Sequence, residues 1–498
     1  MFEDALKPLP EKAFDYFAAV HLLNRAGFGG TPSQARTLAD MGLNKAVDQL
    51  VKYESQPVEP VKADLFDNSI MRPLTDEERE AARNARLRND EEVLAALQRE
   101  RNRKQSEDRK QIAELQKWWI KRMIETPRPL EEKMTLFFHG HFATGYRTIE
   151  DSFHMYQQNQ LFRKFATGNF AQLAHRIIRD PAMIKYLDND ENQKSKPNEN
   201  LARELMELFT LGEGRGYTEE DIKAGARALT GYTFEDDTFY FNNNNHDTSA
   251  KNIMGKSGQF DGDGFLDVIL ARNECAEFMA GKLFRFFVND FSGDMSKDQK
   301  AFILAMANKL RASKYEMKPL LDAVFSSAYF YSAQNRGAII KSPIQLTVQA
   351  VRSLRTPVRE LSALASATDL MGQNVFFPPN VKGWDGGRSW INTSTLFIRQ
   401  NVLVYLLTGR KPDMYEWQAS DIPFDATHLV DHLRQPDGSV DMASGIEYLL
   451  RFNLAQSPSP LRLQQVMAFA QSRGERLDND RIIAVLALTT AMPEYQLC

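Results

Sequence analysis

At 498 residues, with 43% hydrophobic and 26% charged residues, the chain has ordinary globular composition and enough length for two or three cores or one large one. The balance of 62 basic against 66 acidic residues, net −4, builds no field for nucleic acid or an anionic membrane, so neither is implied as a partner. Two cysteines, Cys275 and Cys498, exclude a disulfide framework and a cysteine-based zinc site.

No apolar run approaches the ~20 residues that span a bilayer. The opening MFEDALKPLPEKAFDYF carries acidic residues and two prolines where a signal peptide needs a basic end and an apolar stretch. That start points to the cytoplasm, with the periplasm or export as the alternative if translation begins further upstream.

In chain order, 1–73 reads as an N-terminal helical segment, broken at Gly27, Gly29, Gly30 and Gly42. Residues 74–126 form a charged helical region. Its core, 75–125, is dense in Arg, Lys, Glu and Asp and almost free of breakers, which predicts a long solvated helix with pairs such as Glu100 and Lys104. From Ile112 the pattern turns amphipathic, so Leu115, Trp118, Trp119 and Met123 should dock. Residues 127–400 form a core helical domain carrying the polar motifs, and 401–498 a C-terminal helical segment packed on it. Alternating aromatics over 232–241 predict one β-hairpin around Glu235-Asp236-Asp237. The fold class is therefore all-α with a minor hairpin.

Four blocks hold polar residues that packing does not require. In the first, FFHGHF, His139 and His141 share a face only where the backbone is extended, which Gly140 permits. Helix-capping imidazoles are the competing reading. The second joins Asp188, in a loop of Asp and Asn, to a helix on which Glu199, Arg203 and Glu207 fall at i, i+4 and i+8, with Glu204 beside the apolar face. This could equally be a structural salt-bridge stripe. The third is His246-Asp247. The fourth is the loop PPNVKGWDGGRSWIN, where Lys382 and Arg388 offer charge, Trp384 and Trp390 flat faces, and glycines close backbone approach; it suits a sugar ring or an anion. His21, His154, His175, His428 and His432 stand singly in helical patterns and read as satisfied or exposed. Asp261-Gly-Asp263-Gly lacks the closing glutamate of a calcium loop.

These blocks occur in a definite order: HLLNRAGFG at 21–29, EKMTLFFHGHFATG at 132–145, YLDNDEN at 186–192, PNENLARELMELFTLGEG at 197–214 and YTEEDIKAGARALTGYTF at 217–234. HD at 246–247, KLFRFFV at 282–288, KSPIQLTVQAVRSL at 341–354 and PPNVKGWDGGRSWINTSTL at 378–396 follow. So ordered, the chain resembles the bacterial "domain of unknown function eighteen hundred" family from about residue 20 onward. It departs from that pattern at Phe138 and Gly140, where the family's helix usually carries Trp and Asn. The resemblance implies neighbours as well: similar proteins are commonly encoded beside a sulfatase-like partner, and many are exported. It assigns no reaction.

From the residues, the leading expectation is a metal-dependent, hydrolase-like enzyme. His139, His141 and Asp188 would hold zinc, manganese or iron, while Glu199, Arg203, Glu204, His246 and Asp247 serve catalysis. Lys382, Trp384, Arg388 and Trp390 would bind substrate. The alternative is a non-catalytic accessory or scaffold protein, binding a sulfatase-like partner or a glycan, in which the same polar groups specify the fold.

Overall fold

A computed structural model of the chain describes residues 3–59, 65–291 and 293–498. Helix packs on helix throughout, with two small antiparallel strand pairs among the described residues. The first is the expected hairpin, β1 (Tyr232–Glu235) with β2 (Thr238–Phe241), in the register Tyr232 to Phe241. Asp236 turns the chain at φ 49°. The second, β3 (Lys251–Ile253) with β4 (Lys256–Gly258), has no alternating aromatics to announce it. Its turn depends on Met254 and Gly255, both at positive φ, the backbone that a two-residue hairpin loop requires.

The charged stretch is two helices rather than one, Asp76–Arg88 and Glu91–Glu125. Asn89 takes the left-handed conformation at φ 48° and closes the first. The Asp90 carboxylate then caps the second by accepting from the Val93 N–H. The left-handed backbone that Asn tolerates, followed by the Asp90 cap, thus outweighs the surrounding helix formers. Ala82 and Ala85 of the first helix are buried, but the second is exposed or half-buried through Glu107, and Arg103, rather than Lys104, pairs with Glu100 (2.6 Å) and Glu107 (2.8 Å). Docking begins at Asp108, whose buried carboxylate accepts from the Tyr146 hydroxyl and from Ser152, and continues along Ile112, Leu115, Trp119 and Met123.

The helix that carries the paired histidines, Pro129–His141, lies between the long helix and Ser152–Lys164. Glu132 joins the three. It is fully buried and accepts from the Trp119 indole N–H (2.8 Å), from Arg163 (2.7 and 2.9 Å) and from Arg122. Burial alone would push this carboxyl up, but the two guanidiniums hold it below its ordinary range.

Further along, Asn273–Phe287 packs on Lys297–Ala312, and Pro343–Leu354 on Thr393–Thr408. The helices Met442–Asn453, Pro460–Gln471 and Asn479–Thr490 pack together, and the chain then returns to bond Lys341 N–H to the Gln496 carbonyl at 2.8 Å. One hydrophobic cluster runs from Phe14 to Tyr495 and draws on all four segments. Among the described residues no helix is long and apolar enough to cross a membrane.

Candidate functional site

The histidine helix stays helical through Gly140 to His141, and this decides where its imidazoles go. Residues two apart on an α-helix diverge by roughly 200°, so the rings face opposite ways. His139 points toward the loop at 372–392, where its Nε2 accepts the Phe376 N–H at 2.9 Å between the rings of Trp119, Phe376 and Trp384. His141 points the other way, with its Nε2 3.0 Å from the Phe209 carbonyl. A carbonyl only accepts, so the proton of His141 sits on Nε2 and the Nδ1 lone pair is left free. That Nδ1 is buried with no partner among the described residues. The two histidines therefore hold opposite tautomers. Burial pushes both imidazoles down to about 3, with the Lys282 charge adding to the effect at His141.

His141 lines a cavity of about 880 Å³. The histidine helix gives one wall, with Lys133, Phe137, Gly140 and His141 at the helical spacing of a single face. Asn273–Phe287 gives Phe278, Lys282 and Arg285; the Trp384 loop gives Lys382, Trp384, Gly386, Gly387 and Trp390. Lys341 and Gln345 form the floor with Lys133, while the exposed Lys300, Met295 and Lys382 mark the rim.

The floor holds cations with few partners. Lys341 is 1% exposed, its Nζ has no hydrogen-bond partner among the described residues, and it sits 3.9 Å from the centre of the Tyr495 ring. Burial lowers its ammonium to about 7. Lys133 is buried too, bonded to the Gln345 side-chain oxygen and set over Phe28 and Phe286, and burial brings it to about 8. Burial likewise lowers Lys282. Sequence reasoning missed all three. The signal was a lysine amid apolar neighbours in EKMTLFF, KLFRFFV and KSPIQL, where a solvated helix face would not place it.

The Trp384 loop is seated by glycine contact. Gly383, at φ +79°, lies so close to the histidine helix that a Cβ would fall 2.2 Å from the Gly140 carbonyl oxygen. This contact brings Trp384 over Gly140 and beside His139. Lys382, Trp384 and Trp390 thus share the cavity wall, whereas Arg388 is exposed and outside it.

The other expected site residues are placed elsewhere. Arg203 binds Glu199 (3.0 Å), Glu207 (3.2 Å) and Glu219 (2.7 Å), a stripe in which one guanidinium is shared by three carboxylates and of which Glu207 lines the cavity. Glu204 is half-buried; burial and then Glu207 raise its carboxyl, while Arg203 and Lys382 oppose the rise. His246 is held by the Thr230 carbonyl at 2.8 Å, and Asp247 by Arg227 at 2.7 Å. Burial opposes ionisation of Asp247, but Arg227 and Ser249 hold its carboxyl far below the ordinary range. These two residues close the loop ahead of β3. Asp188 is exposed at φ 55°, its carboxylate 3.4 Å from the Asn200 amide.

His139, His141 and Asp188 do not converge as one three-ligand group. Among the described residues that geometry is found at Asp151, His154 and Asp237 instead. The helical backbone at Gly140 is the reason, since the shared ligand face required an extended one. A second local departure shapes the site: Leu205–Thr210 is a π-helical turn following the α-helix Asn200–Glu204. Leu211 N–H there bonds back to Met206, and the Phe209 carbonyl is the one that His141 meets. Such turns recur at functional sites.

A helical chain with its polar groups gathered in this way matches one family model, a protein family of unknown function (DUF1800), over residues 21–497. The chain belongs to that family. No curated protein and no solved structure matches it.

Proposed function

We propose that the protein is a hydrolase-like enzyme whose active site is this cavity. Its substrate is an organic anion carrying a ring or other flat apolar face. The observation that carries the reading is a set of buried or half-buried ammonium groups, Lys133, Lys282 and Lys341, around an imidazole with an open lone pair. Burial penalises these cations in the free protein, and the negative neighbour that acts on Lys133 and Lys341, at Cys498, offsets that penalty only in part. An anion that enters removes that penalty, so the lysines select for negative charge. Trp384 and Trp390 offer flat surfaces to a ring, and about 880 Å³ suits a sugar- or nucleotide-sized molecule.

In this reading His141 Nδ1 takes the proton of the attacking water, while the ammonium groups stabilise the charge that develops on the substrate. The Phe209 carbonyl fixes the tautomer that makes Nδ1 the acceptor. Burial is the main cause of the low basicity of His141, and an anion bound beside Lys282 offsets the smaller part that the Lys282 charge adds.

4-Nitrophenyl phosphate and 4-nitrophenyl sulfate carry both an anion and a ring, and each reports hydrolysis by colour. We expect at least one to raise the melting temperature and to be cleaved. His141→Gln should abolish cleavage and keep the thermal shift. If neither compound, nor inorganic phosphate or sulfate, shifts the melting temperature, the cavity is not an anion site. Retained binding without turnover in the unaltered protein would favour the accessory, non-catalytic reading.

A further inference from the structure

Asp151, His154 and Asp237 contribute nothing to the cavity wall. They meet where the tip of the β1–β2 hairpin touches the start of the helix Ser152–Lys164, and one ligand atom from each lies within 4.8 Å of the other two. His154 is buried, and its Nε2 lies 3.1 Å from the Asp236 carbonyl oxygen and 3.2 Å from Asp237 Oδ1. Asp151 Oδ2 is 3.9 Å from the other ring nitrogen, Nδ1.

We propose that Asp151, His154 and Asp237, together with the Asp236 carbonyl, bind a divalent first-row metal ion, Zn²⁺ being the best fit. The ion clasps the hairpin to the helix.

Three observations carry this. The first is the division of labour within each carboxylate. Asp151 commits Oδ1 to capping its helix, accepting from Phe153 N–H (2.9 Å) and His154 N–H (3.0 Å), which leaves Oδ2 free. Asp237 commits Oδ2 to the Asn68 amide at 3.1 Å and leaves Oδ1 facing His154. Each ligand thus has an outer partner that fixes its orientation, as metal-binding side chains commonly do.

The second is distance. Donors about 2.0–2.1 Å from a tetrahedral zinc lie roughly 3.3 Å from one another. The separations of 3.1 and 3.2 Å around Nε2 fall on that edge length. An ion there would replace the Nε2 proton now directed at the Asp236 carbonyl, with Asp237 Oδ1 beside it and Asp151 Oδ2 as the third side-chain donor.

The third is charge. Among the described residues no lysine or arginine forms an ion pair with Asp151 or Asp237. Two carboxylates thus meet at one imidazole with no other cation paired to either, and one imidazole with two carboxylates and a carbonyl suits zinc better than the all-oxygen sets preferred by calcium or magnesium.

The test is calorimetric titration of the full chain, stripped with EDTA and dialysed, with Zn²⁺ at pH 7.5. We expect saturable binding at one ion per chain, a higher melting temperature, and affinity at least tenfold above that for Ca²⁺ or Mg²⁺. Asp237→Asn, at the hairpin tip, and His154→Gln should each lower zinc affinity at least tenfold while the helical circular-dichroism signal is retained. His175→Gln is the control, since His175 meets Asp263 (2.7 Å) and Asp267 (3.2 Å) through opposite ring nitrogens, and it should leave titration unchanged. Absence of saturable zinc binding by the unaltered chain overturns the proposal, as does binding that survives His154→Gln or a calcium affinity equal to that for zinc. None of these readouts depends on the anion cavity.

Discussion

The Arg203 stripe and the cavity floor are both rich in charge, and they treat it in opposite ways. Along the stripe every charge has a partner: one guanidinium serves three carboxylates at the surface. On the floor Lys341 is buried with no hydrogen-bond partner among the described residues, Lys133 bonds a neutral amide between aromatic faces, and the negative neighbour that acts on both is at Cys498. Density of charged residues in a sequence is therefore a poor guide to where a ligand is needed. Lack of compensation is the better one, because a paired group has no remaining demand for a ligand.

That contrast can be broken experimentally, beginning where a buried charge is fully paired. Glu132→Gln leaves Arg122 and Arg163 buried beside a neutral amide and should destabilise the fold by about 3–5 kcal/mol, measured by denaturant unfolding. A much smaller loss would mean that pairing matters less than supposed. Lys341→Met should do the reverse and stabilise the free protein by about 1–4 kcal/mol at pH 7, since it removes a buried cation without a partner.

The pH dependence of that gain has a definite sign. In the fold Lys341 loses its proton near 7, whereas unfolded lysine keeps it to about 10.4. Between those values the unfolded state binds more protons, so the unaltered protein gains stability as pH rises and its gap to Lys341→Met narrows. A gap that stays constant from pH 7 to 10 would show that the lysine is not the cause.

Anion binding sharpens the same point. Phosphate entering the floor should draw Lys341 and Lys133 back to their charged forms, so binding at pH 8.5 takes up protons. Calorimetry in buffers of different ionisation enthalpy measures the uptake, and Lys341→Met should reduce it. The smallest effect belongs to the stripe: Arg203→Met should cost less than about 1 kcal/mol, because partly exposed ion pairs are worth little individually.

Much of the helical architecture was legible in the sequence. Periodicity marked the docking face of the long helix, and alternating aromatics marked the first hairpin. The break at Asn89 was less legible because it depends on one residue in the left-handed region inside a run of strong helix formers. The loop with Trp384 and Trp390 could be singled out from its glycines and indoles, and the structure sets both rings on the cavity wall. The ligand role expected of His139 was not readable, because two residues of spacing mean one face in a strand and opposite faces in a helix, and Gly140 allows either. The lysines were hidden for another reason. Their apolar neighbours hinted at burial, but only tertiary packing brings three lysines from separate segments to one cavity.

The contact between Gly383 and Gly140 has an evolutionary consequence. Its two sides are unequal. A side chain at Gly383 would meet backbone and is blocked by its positive φ as well, whereas a Cβ at Gly140 would meet only the Trp384 ring, at an ordinary 3.8 Å. Drift is thus confined at one address and open at the other. A lineage could enlarge residue 140 and reshape the space beneath the indole while the loop keeps its anchor. Ligand repertoire could then diversify by single substitutions at that position, without passing through a misfolded intermediate.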